Sequence, residues 1–576
     1  MDRRGPPGPA LEDELRAHDA AVARRGLDLW IGAEPTFTDA RSIDPCWLRE
    51  AEGGDKEARA RALLVALAPR LGGRARLLHA KGRLYPGEER PRFCLGVLFE
   101  RSGSAGGAPD REELAALDDP PVQVPAPGPG QGWLTVTPDP GVVEVNTAPA
   151  PDLTTFARWS EAIYAAAGEA GLSPWRFRYN GDATDSGGGG QLTLGGPTPE
   201  RSPFFRRPAL LPRLVRYLNR HPALSYAFAP DCAGSASQGP RPDEGGRERF
   251  EELPVALEWL TRRGDHVTPE ELWSTLAPLL VDLAGNSHRA ELNVEKLWNP
   301  YLPGRGKLGV VELRSLRMPE TPARLVALAA LFRAVAARLA TAPFEEPLVD
   351  WGARLHGQFG LPWHLRRDLT EVLADLAAHG LGLGPLLSAE VLAGPEPLAQ
   401  LTLPDAGLTL TPARSFWPLV GDVASQERAG ARFVDSSAAR LEVLLSPAED
   451  APDTLSASGW QVPLARVAGG RQALGSVTWR AFVPRPGLHP GLPPCDPLVL
   501  VWTHGARSVQ IALHGWNPSG GGYDGLPHDA AEAQRRRQAR VVVTLQPFPG
   551  QSRAGAPGAY GLDLRQPTTP ALEPPP

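Results

Sequence analysis

Residues 308–316 read LGVVELRSL, and this run decides how the rest of the chain is read. Val310, Val311 and Leu313 favour a strand, and strand side chains alternate between faces with a period of two. Glu312 and Arg314 therefore project together, an acid beside a guanidinium on one sheet face. Working outward, the same texture recurs in LDLWIGAEPTF (27–37), CLGVLFE (94–100), GVVEVNTA (141–148) and QLTLGG (191–196). Between these runs, amphipathic helices are expected at 57–71, 155–171, 208–219, 269–283 and 322–340. Two have sharp starts: Thr268-Pro269-Glu270-Glu271 carries a capping box, and Thr321-Pro322 places a hydroxyl before a proline. The order of elements is mixed α+β, not a regular βαβ alternation.

From about residue 401 the texture changes to short alternating strands: LTLTPA, RLEVLL, SVTWRAFV, PLVLVW, SVQIALHG and VVVTL. This predicts an all-β, sandwich-like module. The expected organisation is thus a disordered start (1–10), an α+β domain (11–340) with a flexible loop at 103–132, a helical connector (341–400), the β module (401–546) and a Pro/Gly-rich disordered tail (547–576). The loop and tail are too poor in apolar residues to offset the entropy of ordering.

The 576 residues are 42% hydrophobic with a net charge of -6, enough for sizeable cores and without global attraction to nucleic acid or an anionic membrane. Four cysteines without a CxxC pair speak against a disulfide framework and for a reducing, cytoplasmic setting. The N-terminus MDRRGPPGPA has no apolar signal region. The most apolar stretch, 325–339, contains Arg333 and Arg338 and reads as a core helix, not a membrane span.

The chemistry-bearing residues are carboxylates that end or interrupt strands: Glu34, Glu144 (with Asn146 on its face), Glu291 and Glu312. Acids gathered on one face repel unless cations hold them, and hard oxygen ligands favour Mg²⁺ or Mn²⁺. A lone strand glutamate is more often a solvated face residue, and only the set of four points to a site. Gly187–Gly190, leading into Gln191, is a glycine-rich loop that allows close backbone approach to a phosphate, although it is neither a P-loop nor a dinucleotide fingerprint. The loop at 234–241 ends in Arg241, and Asn286-Ser287-His288-Arg289 forms a second polar cluster; arginines there suit phosphate or carboxylate oxygens. A thiol enzyme built on Cys46 is the weaker alternative, because a lone cysteine is usually buried and inert.

Taken in order, IGAEPTFTDARSID, KGRLYPGE, TVTPDPGVVEVNTAPA, GGGGQLTLGGPTPERSPFFRRP, SASQGPRPDE, GNSHRAELNVEKLWNP, LGVVELRSLRMP and NPSGGGYDGLPHDAAEAQRRR resemble the amidoligase family DUF2126. That family is similar to glutamine synthetase and glutamate–cysteine ligase and is usually fused to bacterial transglutaminase-like domains. The resemblance runs from about residue 11 to 540. It implies a glutamine-synthetase-like antiparallel sheet with flanking helices, and an ATP- and Mg²⁺- (or Mn²⁺-) dependent ligase joining a small-molecule or peptide carboxylate to an amine through an acyl phosphate. By the same resemblance Glu34, Glu144, Glu291 and Glu312 are metal ligands. Arg314, Arg289 and Arg241 act on the phosphoryl or carboxylate groups, and Gly188, Gly189, Gln191, His288 and Arg241 hold the nucleotide. A transglutaminase-like or peptidase protein is the implied partner, with no nucleic acid and no membrane. Lys81 and Glu88 lie in a matching motif without an assigned role. The chain departs from the family at Gly190-Gln191, where Asn-His is usual, so one metal ligand is replaced by an amide; a non-catalytic binding relative is the alternative this raises. About ten residues precede the match, so a stand-alone form is expected.

Overall fold

The protein is described by a computed structural model covering residues 8–40, 54–71, 76–81, 93–100, 131–301, 306–425, 428–447, 454–467, 470–483, 488–547, 552–554 and 561–568. The alternating runs come together in one eight-stranded sheet. Its strands are β1 (Trp30–Phe37), β2 (Arg76–Lys81), β3 (Phe93–Glu100), β4 (Gln131–Asp139), β5 (Val142–Thr147), β6 (Gly190–Gly195), β7 (Leu292–Asn293) and β8 (Val311–Leu313). They lie in the order β7-β8-β6-β1-β5-β4-β3-β2, and every neighbouring pair is antiparallel. Runs far apart in the chain thereby become neighbours: β6 separates β1 from β8 by a single strand, and β5 borders the other edge of β1.

The register sets the two faces. Glu34 opposes Gln191, Glu312 opposes Thr193, and Glu144 opposes Thr36. Directly opposed residues share a face, as do residues two apart in one strand. One face is therefore polar and carries Glu34, Thr36, Glu144, Gln191, Thr193 and Glu312. The other carries Ala33, Val143, Val145, Leu192, Leu194, Val311 and Leu313, all in the main hydrophobic core.

Helices close that apolar face. Helix α1 spans Pro9–Ala23, α2 Gly54–Leu67, α3 Leu153–Glu169 and α4 Pro322–Thr341. Asp152 caps α3 by accepting from the Thr155 amide, and Thr321 caps α4 by accepting from Arg324. Helix α4 is buried along every residue from Leu325 to Ala340, which explains why its sequence is apolar all round. Its two internal charges are paired: Arg333 with Asp19 and the Leu29 carbonyl, Arg338 with Asp375 at 3.0 Å. None of the described helices is long and apolar enough to cross a membrane.

Helices between Arg354 and Leu392 contribute Leu355, Leu369, Val372 and Val391 to this same core. A second core, centred on Leu410, Val443, Trp502 and Ile511, lies between two sheets of the C-terminal part. One of these holds Ala406–Pro412, Ala438–Pro447 and Ala473–Arg480; the other holds Leu498–His504, Arg507–Leu513 and Val541–Pro547. The whole is a mixed fold of helices and mainly antiparallel sheets.

Three local expectations change. The helix expected over 269–283 ends at Leu276, because Pro278 removes an amide donor and clashes with the preceding turn. Helix α1 already begins at Pro9, inside the stretch expected to be disordered. The tail is not uniformly loose: Leu562 is buried, and Leu562–Asp563 pairs in parallel with Val477–Thr478. Cys46, Glu88 and residues 103–130 of the loop expected at 103–132 lie outside the described residues, whereas Gln131 and Gly132 already belong to β4.

Candidate active site

The polar face gathers charge where β1, β6 and β8 run side by side. The side chains of Glu34 and Glu312 are almost sealed from solvent, at 8% and 1% exposure. Two buried carboxylates this close would be costly alone, several kcal/mol per ion at about the usual desolvation penalty. Two cations answer them. Lys296, in the loop after β7, pairs its Nζ with Glu34 Oε1 and reaches Glu312 Oε2 at 2.9 Å. Arg314 Nη1 pairs with the other oxygen of Glu312, as the shared face of a strand requires.

The protonation equilibria follow from these contacts. Burial, then Glu312, pushes the Glu34 carboxyl above the ordinary range, with Lys296 and Arg314 pulling it back. Burial works on Glu312 in the same sense, but there Lys296 and Arg314 win and the carboxyl lies below its usual value. Burial favours a neutral Lys296, yet Glu34 and Glu312 outweigh it and hold the ammonium charged. Glu144 lies at the flank and accepts from Asn146 Nδ2 at 2.9 Å. Burial, then the charges of Glu34 and Asp139, pushes its carboxyl up to about 8.

That shift has a measurable sign. A carboxyl whose folded pKa exceeds its unfolded value stabilises the fold fully below the unfolded value and loses that contribution as pH rises through the folded one. Glu144 should therefore make stability fall from about pH 4.5 to about pH 8. Glu144→Gln should remove this part of the slope, read as the difference between wild-type and variant urea midpoints across that window.

Lys296 is the site residue that strand periodicity misses, because it lies beyond the end of β7. Composition held a signal. Of 60 Lys and Arg residues only four are lysines, Lys56, Lys81, Lys296 and Lys307. Where arginine is the default cation, each of the few lysines is worth inspecting as a compact point charge.

The other sequence candidates do not join this charge cluster, although Ser225 and Ser237, which they contact, line the cleft beside Arg314. Glu291 accepts from Ser225 and lies 3.8 Å from Arg241; burial pushes its carboxyl up to about 7 although Arg241 opposes this. Arg241 is not presented to a ligand. It is buried, and its donors go to Asp243 (2.9 Å twice), the carbonyls of Leu218 and Asn219, and Ser225. Arg289 staples the 234–241 loop by donating to the Ala236 and Ser237 carbonyls at 2.8 and 2.7 Å. His288 is exposed and faces Glu295 at 3.3 Å.

The glycine loop does meet Arg314. Gly188, Gly189, Gln238 and Gly239 line one narrow cleft with it. A Cβ on Gly188 would stand 2.6 Å from Thr36 Oγ1, and one on Gly190 2.4 Å from Pro319. These glycines are thus required for close packing on β1 and on the segment after β8. Gln191 is buried opposite Glu34, and its Oε1 has no hydrogen-bond partner.

A carboxylate-held metal centre does not fit this arrangement. Among the described residues no three His, Cys, Asp or Glu side chains gather to hold a metal ion. Glu291 is absent from the pair, Glu144 is hydrogen-bonded to Asn146, and Lys296 stands between Glu34 and Glu312.

The family described as "Putative amidoligase enzyme (DUF2126)" matches residues 10–117 and 124–564. Among solved structures, the chain is similar to "GmaS/ADP complex-Conformation 1" at 13% identity, covering 66% of this chain and 71% of that one with a TM-score of 0.29. It is also similar to "Apo GmaS without ligand" at 13% identity, 66% and 70% coverage and a TM-score of 0.27. No curated protein matches.

Proposed function

Since the chain belongs to the DUF2126 family of amidoligase enzymes, we propose that it joins a carboxylate to an amine at the expense of ATP, on the polar face between β1 and β8. The observation that carries this reading is the Glu34–Lys296–Glu312–Arg314 cluster, whose Arg314 lines one cleft with Gly188 and Gly189. A carboxylate oxygen of the acid attacks the γ-phosphorus, the bond to the β-phosphate oxygen breaks, and ADP leaves. The amine nitrogen then attacks the acyl carbon, inorganic phosphate leaves, and the amine sheds a proton. Such chemistry needs positioning and charge neutralisation more than a protein nucleophile. Arg314, held by Glu312, is the group to meet the transferred phosphoryl oxygens. Mg²⁺ or Mn²⁺ enters as the counter-ion of ATP, a part of the substrate. The acid is a small molecule or a peptide, and a transglutaminase-like protein is the partner class to try first.

The test is hydroxamate formation: Mg·ATP, hydroxylamine as the amine, and a panel of amino acids and acidic peptides. At least one acid should give hydroxamate with matching ADP. Arg314→Gln should lower the rate by about 10²-fold or more. Equal rates in wild type and Arg314→Gln would remove the assignment.

Gln191 offers a second handle. A buried carbonyl oxygen lacking a donor suits an incoming N–H, here the amine substrate. Gln191→Met should raise stability by about 1 kcal/mol by removing an unsatisfied acceptor. It should also raise the amine KM about tenfold. Opposite signs in unfolding and kinetic experiments distinguish a site residue from a packing residue.

A further inference from the structure

Two buried carboxylates on nearby strands need a positive charge between them. Here that charge belongs to a side chain. We infer that Lys296 is the resident cation of the Glu34–Glu312 pair and stands in place of a divalent metal held by those carboxylates.

Four observations converge. The ammonium contacts an oxygen of each acid, while Arg314 takes the remaining oxygen of Glu312. With both carboxylates ionised, two negative charges meet two positive ones, so the pair is neutral without any metal. Of the two other acids expected as metal ligands, Glu144 accepts from Asn146, and Glu291 accepts from Ser225 and lies near Arg241. Finally, the Lys296 side chain is 35% exposed against 8% and 1% for the acids, so a cation arriving from solvent meets the ammonium first. A lysine suits this place better than an arginine. A compact ammonium with three rotatable donors reaches carboxylates on two strands, whereas a planar fork matches one carboxylate at a time. Lys296 is thus a positioning residue: it holds Glu34 and Glu312 in register and, through Glu312, fixes Arg314. The proposal rests on the ligase reading only for the identity of the ligand that Arg314 meets.

The experiment is a Mn²⁺ titration of the full chain without nucleotide, followed by electron paramagnetic resonance. Wild type and Glu34→Gln should bind the same small amount of Mn²⁺. Lys296→Met, shown to be folded by circular dichroism, should gain a site about tenfold tighter or better. That site should vanish in Lys296→Met/Glu34→Gln. A wild-type Mn²⁺ site that Glu34→Gln abolishes would overturn the proposal, as would a folded Lys296→Met that gains nothing. If Lys296→Met does not fold, the wild-type and Glu34→Gln comparison decides alone. Because ATP is absent, the result does not depend on ligase activity; failure of the ligase reading would show instead in the hydroxamate assay.

Discussion

Glu312→Ala is expected to lower the free energy of unfolding by about 3–5 kcal/mol, the range for removing one partner of a buried ion pair. The reason lies in what remains. Arg314 is only 5% exposed and would keep its charge with no carboxylate beside it, while Lys296 would retain Glu34 alone. The loss should appear as a shift of the urea midpoint without a change in slope. Glu312→Leu/Arg314→Leu should recover most of that stability, since apolar replacement of both members of a buried pair is often neutral. Neither variant should make hydroxamate. A double variant as unstable as Glu312→Ala would mean that the pair is not coupled in the way described.

Arg241→Ala is the second large effect, again about 3–5 kcal/mol. Its guanidinium is enclosed, and its donors are spent on Asp243, Ser225 and two backbone carbonyls. Removing it leaves Asp243 and Glu291 without their countercharge and the Leu218 and Asn219 carbonyls unpaired. Arg241→Lys should rescue little, because an ammonium cannot reproduce the two-pronged contact with Asp243. The folded fraction of either variant should keep its KM for ATP within about twofold of wild type. That outcome separates Arg241, a structural anchor, from Arg314, and a tenfold rise in KM would restore Arg241 to the ligand site.

The contrast between these two arginines shows what the sequence makes legible. Glu312 and Arg314 are two apart in a strand, so their common face follows from local geometry. The common face of Glu144 and Asn146 follows by the same rule, but that Glu34, Glu144 and Glu312 share one side of the sheet comes from the inter-strand register. Arg241 sits in a loop of small residues, where no periodicity says whether a side chain turns outward or inward. Its partners at Leu218, Asn219 and Ser225 come from elements that meet it only in the folded chain. Glu291 illustrates the same limit: one residue before β7, it still pairs through its backbone with Arg314, but its carboxylate accepts from Ser225, a partner no local pattern reveals. Lys296 was hidden for the opposite reason, as a loop residue whose importance arises from two strands contributed by residues 30–37 and 311–313. The early stop at Leu276 was fully readable, since Pro278 is in the text. The ordered Leu562–Asp563 pair was not, because a two-residue bridge is set by the strand it joins rather than by its own Pro- and Gly-rich surroundings.

The claim on which the rest depends is that the Glu312-held Arg314 faces the nucleotide's phosphates. Calorimetric titration of Mg·ADP into wild type and Arg314→Gln tests it most directly, with circular dichroism to confirm that the variant is folded. One binding event in wild type, weakened about tenfold or more in the variant, is the expected result. Equal affinity in both proteins, or no binding by wild type, would contradict it.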